Sequence, residues 1–122
     1  MTCPICENKN MKDNICDICA ICGWEDDTVQ QSNHNYYGGA NDLSVNESRI
    51  EFLLLHTRKT KDETIQLKKR YFESIGSIYK EYSPINYVEE TEKADALTQR
   101  LFIARETYID SLNELMLSLI DL

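Results

Sequence analysis

The 122-residue chain has no long apolar run: nothing in it approaches the ~18 consecutive apolar residues that mark a membrane-spanning helix. Nor does Met1 lead into the basic and then apolar stretch of a secretory leader, because Thr2 and Cys3 follow at once. The chain is therefore expected to be cytoplasmic. Basic residues are scarce, 13 Lys and Arg against 21 Asp and Glu, for a net charge of −8. The shortage is sharpest at the front, where residues 1–45 carry two basic and seven acidic side chains. Phosphate binding draws its free energy from neutralising charge with Lys and Arg, so nucleic acid and anionic membrane are not expected partners, whereas a basic protein would be attracted. Repeats and low-complexity segments are lacking. Only two histidines occur, His34 and His56, and neither has a partner in any nucleophile or base arrangement; each is expected to serve surface or packing roles. The chain is not expected to be an enzyme.

What it does contain is cysteine, five in all, and the odd count argues against a disulfide framework. In a reducing compartment, Cys-x-x-Cys turns read as metal ligands. Cys3-Pro4-Ile5-Cys6 is one such turn; the second is either Cys16-Asp17-Ile18-Cys19 or Cys19-Ala20-Ile21-Cys22. The latter is preferred because Gly23 follows it, where a knuckle turns back and its N–H groups approach sulfur. The expected ligands of a structural Zn2+ are thus Cys3, Cys6, Cys19 and Cys22, with Cys16 an ordinary thiol beside them. Four sulfurs leave no position open for water, which marks a structural and not a catalytic site. The residues between Cys6 and Cys19 could form a short β-hairpin, giving a zinc ribbon over residues 1–43.

Trp24 has two readings, a ring packed over the knuckle or a partner-binding anchor. Glu25, Asp26 and Asp27 either accept hydrogen bonds from loop N–H groups or form a negative patch for a cationic partner. Their spacing matches no EF-hand loop. Residues 30–42, rich in Asn, Gly and Tyr, read as a loop ordered by packing of Tyr36 and Tyr37.

The run Ile18-Cys19-Ala20-Ile21-Cys22-Gly23-Trp24-Glu25-Asp26-Asp27, followed by Gly38-Gly39-Ala40-Asn41, Leu43-Ser44 and Asn46-Glu47, resembles the bacterial cysteine-rich CPCC proteins over about the first 55 residues. Ile5 stands at the third position of the C-P-C-C motif and Ala20 where proline is usual, but the outer cysteines of both knuckles are present. The resemblance implies a small zinc-binding fold of poorly defined activity, with some relatives encoded beside polymorphic toxins.

After Gly39 the sequence turns helical. Capping-box patterns at Ser44-Val45-Asn46-Glu47, Thr60-Lys61-Asp62-Glu63 and Asn86-Tyr87-Val88-Glu89 predict three helices over 45–58, 61–82 and 87–119. The first, with Ile50, Phe52, Leu53, Leu54 and Leu55, is expected to pack on the ribbon. The second shows a stripe of Phe72, Ile75, Tyr79 and Tyr82 flanked by Ile65, Tyr71 and Ile78. The third shows a seam of Leu97, Leu101, Ala104, Tyr108, Leu112, Leu115 and Leu119. Pro84 breaks the chain between the last two, which should fold back as an antiparallel hairpin, with a homodimer through the C-terminal helix as the alternative use of the seam. Lys68-Lys69-Arg70 reads as a solvated face.

The expected fold is a small α+β protein, a four-cysteine zinc ribbon followed by a helical region over 44–122 and forming one compact unit with it. The expected function is an acidic protein-binding module, an immunity or antitoxin-like inhibitor of a basic bacterial toxin. The runner-up is a zinc-ribbon adaptor in transcription or stress regulation.

Overall fold

The computed structural model describes residues 1–9, 11, 17–86 and 88–120. The chain divides into two units, Met1–Thr57 and Arg58–Leu122.

The first unit holds the cysteine knuckles, a short helix α1 (Thr28–Ser32) and helix α2 (Val45–Leu55). The expectation of an α+β zinc ribbon is not met. Among the described residues there is no sheet, and the one strand-like pairing is the isolated antiparallel bridge Ile18↔Glu25. The bridge stops for a local reason. Asp26 N–H donates to the Asp17 carbonyl at 2.8 Å, and the next residue, Asp27, already caps α1, so no further residue is free to extend a strand. Part of the hairpin expected between Cys6 and Cys19, at residues 10 and 12–16, lies outside the described residues.

Asp27 does three things at once. Its Oδ1 accepts from the N–H groups of Val29 and Gln30, and its Oδ2 accepts from Ala40 N–H at 2.9 Å. These donors, Ala40 foremost, hold its carboxyl below the usual carboxylate range. Gln30 is fully buried and organises the loop that follows. Its Nε2 donates to the carbonyls of Tyr36, Asn41 and Leu43, and its Oε1 accepts from the N–H and Nδ2 of Asn41. Asn41 then pairs with the backbone of Glu25 through both side-chain atoms. The loop is thus ordered by one buried amide and not by Tyr36 and Tyr37, which both stand exposed. Gly39 has to be small here, since a Cβ would sit 2.5 Å from Asp27 Oδ2.

The capping box at Ser44 forms as the sequence indicates, Ser44 Oγ accepting from Glu47 N–H and Glu47 Oε1 from Ser44 N–H. Helix α2 ends at Leu55, three residues earlier than expected. There the His56 N–H reaches back to the carbonyls of Phe52, Leu53 and Leu54, and its ring stacks on Phe52 at 4.0 Å.

The second unit is an antiparallel pair, α3 (Lys61–Tyr82) and α4 (Thr91–Ile120). Thr60 makes no side-chain cap bond. Asn86 does cap, its Oδ1 accepting from Val88 and Glu89 N–H, but only a turn follows before α4 begins at Thr91, four residues later than expected; Tyr87 lies outside the described residues. The expected seam of α4 faces inward, with Leu97, Tyr108 and Leu112 buried. On α3 the inward stripe is Thr64, Tyr71 and Ile78, one residue away from the expected one; Phe72 and Tyr79 are 51% and 55% exposed. Tyr71 and Tyr108 stack across the pair at 4.8 Å with ring planes 3° apart, and Arg100 bonds Glu81 at 2.7 Å near the turn.

Three outcomes are expected. Gln30→Leu strands several of the five groups its amide satisfies and should cost about 2–4 kcal/mol in chemical denaturation. Leu112→Ala should cost about 2–5 kcal/mol. Asp27 contributes stability that is present above the unfolded carboxylate value of about 3.9 and lost as pH falls through its lowered folded value. The stability gap between the parent and Asp27→Asn should therefore narrow as pH is lowered through that window.

Candidate metal centre

Two turns of the same design carry the four candidate ligands. In the first, Cys3 N–H donates to the Asn8 carbonyl at 2.8 Å, and Glu7 N–H to the Cys3 carbonyl at 3.0 Å. In the second, Cys19 N–H donates to the Trp24 carbonyl at 2.8 Å, and Gly23 N–H to the Cys19 carbonyl at 2.9 Å. The register is identical, and so is the backbone requirement on the residue after the second cysteine of each turn: Gly23 has φ 82° and Glu7 has φ 64°. Glycine adopts this left-handed conformation readily, whereas a side chain crowds its own backbone there.

The turns bring Cys3, Cys6, Cys19 and Cys22 together with all four sulfurs within 4.8 Å of one another. Cys3 and Cys22 sulfurs are 3.5 Å apart, Cys6 and Cys19 sulfurs 3.6 Å. A tetrahedron with metal–sulfur bonds of about 2.3 Å has sulfurs about 3.8 Å apart, so the residues fit a tetrahedral ion with little adjustment. All four thiols are free of disulfides. Cys16, the alternative knuckle residue, lies outside the described residues.

N–H groups point at the sulfurs, as thiolates in a buried site require. Ile5 N–H approaches Cys3 Sγ, and Asn8 Nδ2 approaches Cys19 Sγ, each at 3.5 Å. Burial pushes the Cys19 thiol up, but the N–H of Cys22, the Asn8 amide and the N–H of Ile21 outweigh it and bring the thiol down to about 6. Burial raises the Cys6 and Cys22 thiols above their ordinary range, with the N–H groups of Asn8 and Trp24 opposing. One sulfur thus ionises readily, and these two resist until a cation compensates them.

The site forms the core of its unit. Cys3 and Cys19 pack with Met11, Trp24 and Val45, with Met1, Ile5, Cys6 and Cys22 against them, and Arg49 of α2 donates to the Pro4 carbonyl at 2.7 Å. The four positions considered for partner binding sit close to this core. Trp24 is 4% exposed and Asp26 7%. Glu25 is half-buried with both backbone groups bonded to Asn41. Asp27 takes the first of its two expected roles, accepting from the N–H groups of α1 and Ala40. Trp24 Nε1 and Asp26 Oδ1 are buried without a hydrogen-bond partner. The sequence reading missed helix α1 and the hub at Gln30, although an Asp just before a helical turn is a recognisable cap signal.

Changing Cys3, Cys6, Cys19 or Cys22 to Ser should remove the metal and unfold the first unit, while Cys16→Ser should retain both, as read by elemental analysis and circular dichroism. Metal affinity should fall as pH drops, since protons compete for the sulfurs. Glu7→Gly relieves the left-handed side chain and should raise stability by about 0.5–1 kcal/mol.

No curated protein matches the chain. A family model, described as cysteine-rich CPCC, matches residues 1–69. That span contains both knuckles, the Trp24–Asp27 run and the Gly39–Asn41 segment that hydrogen-bonds to it. With four convergent thiols on a matched frame, the chain is a metal-binding module and belongs to the cysteine-rich CPCC family.

Proposed function

We infer that the bound metal is zinc in a structural role and that the chain is a protein-binding module acting in the reducing cytoplasm, without enzymatic activity of its own. The observation that carries this reading is the closed ligand set: four sulfurs converge in the core, and two of the four cysteines are fully or almost fully buried. An all-sulfur tetrahedron suits zinc or iron, and a site whose positions are all taken by protein holds the fold together instead of activating water. No helix among the described residues is long and apolar enough to cross a membrane.

The partner is a basic protein, and the chain acts as an immunity or antitoxin-like inhibitor of a basic bacterial toxin domain. Charge supports this. The first unit carries three basic against nine acidic residues, and four thiolates on a divalent ion add further negative charge. Opposite potentials speed encounter and would set partner choice. Among the described residues of this unit the exposed acids are Glu7 and Asp42, and their exposure suits them to meeting a partner.

Elemental analysis should find one zinc per chain; iron, visible by its thiolate absorption, would replace the metal assignment. A pull-down from the native host should recover a basic toxin domain, and Glu7→Gln with Asp42→Asn should slow its association and flatten the salt dependence without loss of metal. Recovery of nucleic acid or polymerase subunits instead, or association indifferent to salt and to both substitutions, overturns the inhibitor reading.

A further inference from the structure

Gly76 lies in the interior of the 22-residue helix α3, where glycine is the least favoured residue after proline. Nothing among the described residues explains it. A Cβ built there meets no atom within 4 Å, so the glycine makes no room for a neighbour the chain itself supplies. It also needs no left-handed backbone, being helical. A glycine tolerated against helix propensity, with open space over it, leaves a notch in the helix surface.

The residues around the notch form a pattern. At 3.6 residues per turn, Phe72, Gly76 and Tyr79 share a face, and so do Glu73 and Lys80 on its other margin. Phe72 and Tyr79 are both about half exposed, and Ile65, a further two turns back on the same margin, is 43% exposed. Phe72 is steadied by its own helix: the Lys68 ammonium lies 5.7 Å from its ring centre, and the Tyr71 ring is tilted against it at 5.8 Å. Glu73 and Lys80 are exposed. The helix therefore presents an aromatic margin, a gap and a charged margin.

Counted from Gly76, the pattern is self-complementary. Phe72 lies four residues before and Tyr79 three after; Glu73 lies three before and Lys80 four after. A two-fold axis through Gly76 sets a second α3 antiparallel and brings like margins together, as in any isologous contact. Phe72 then meets Tyr79 of the second copy, Glu73 meets Lys80, and the two glycines cross with nothing between them. Glycine at the crossing lets the axes approach to the near end of the 8–10 Å range. Apolar burial, two aromatic pairs and two opposite-charge pairs all select the same register.

We propose that α3 is a homodimerisation surface, on which a second copy of this chain docks antiparallel with Gly76 at the crossing point. The contact uses none of the cysteine module and stands apart from the identity of its metal and of its basic partner. One helix pair buries less than the ~1,600 Å² of a standard interface, so the association is expected to be weak and to depend on concentration.

Sedimentation equilibrium of the metal-loaded full chain from ~1 to ~300 μM tests this, with mass expected to rise from 14.2 kDa towards twice that value. Glu73→Lys and Lys80→Glu should each weaken dimerisation by about tenfold or more, and the double swap should restore it to within about threefold of the parent. Gly76→Leu should abolish the dimer while leaving the helical circular dichroism of the dilute chain unchanged or stronger, because leucine favours the helix. A chain that stays monomeric throughout the range, a double swap that fails to restore association, or a Gly76→Leu variant that dimerises like the parent overturns the proposal.

Discussion

The first unit depends on the convergence of four sulfurs within 4.8 Å of one another. Four thiolates that close repel strongly, and four small neutral thiols add little apolar area to a core whose other buried apolar members, Met11, Trp24 and Val45, are few. A cation resolves both difficulties by compensating the charge and fixing the geometry. Everything nearby is arranged to make that compensation efficient: backbone N–H groups aim at the sulfurs, the Trp24 ring shields them, and Arg49 ties α2 to the first knuckle.

The two units solve the problem of small size differently. The first has little apolar surface and substitutes metal ligation and a dense polar network, in which Asp27, Gln30 and Asn41 satisfy backbone groups that a loop of this length would otherwise leave to water. The second relies on ordinary helix pairing, with ring stacking between Tyr71 and Tyr108 near its middle. Within the span that the family model matches, Trp24 to Asp27 and Gly39 to Asn41 border or belong to that polar network. Their spacing in sequence reflects contacts across a loop.

The cysteine site was readable from sequence because ligand spacing is a covalent matter: a Cys-x-x-Cys turn closed by glycine admits few geometries. Choosing Cys22 over Cys16 rested on Gly23, and the backbone at Gly23 does adopt the left-handed conformation that favours glycine. The strand expectation failed because the spacing of the ligands says nothing of what lies beyond the knuckle, and here a helix cap follows directly. On α3 the apolar residues fill two adjacent stripes, so periodicity could not decide between Tyr71 with Ile78 and Phe72 with Tyr79; the partner ring on α4 decides it. The Gln30 hub was hidden for a simpler reason. A glutamine in sequence looks the same whether it serves five backbone and side-chain groups or faces water.

The two knuckles are alike in hydrogen bonding but unlike in tension. The second turns back through glycine at no steric cost, and the first through the side-chain-bearing Glu7, which is held left-handed only as long as the surrounding bonds insist. Loss of a bound ion would therefore relieve strain at one knuckle only: the Cys3–Cys6 turn would be free to relax at Glu7, while the Cys19–Cys22 turn would keep a shape that glycine holds without strain.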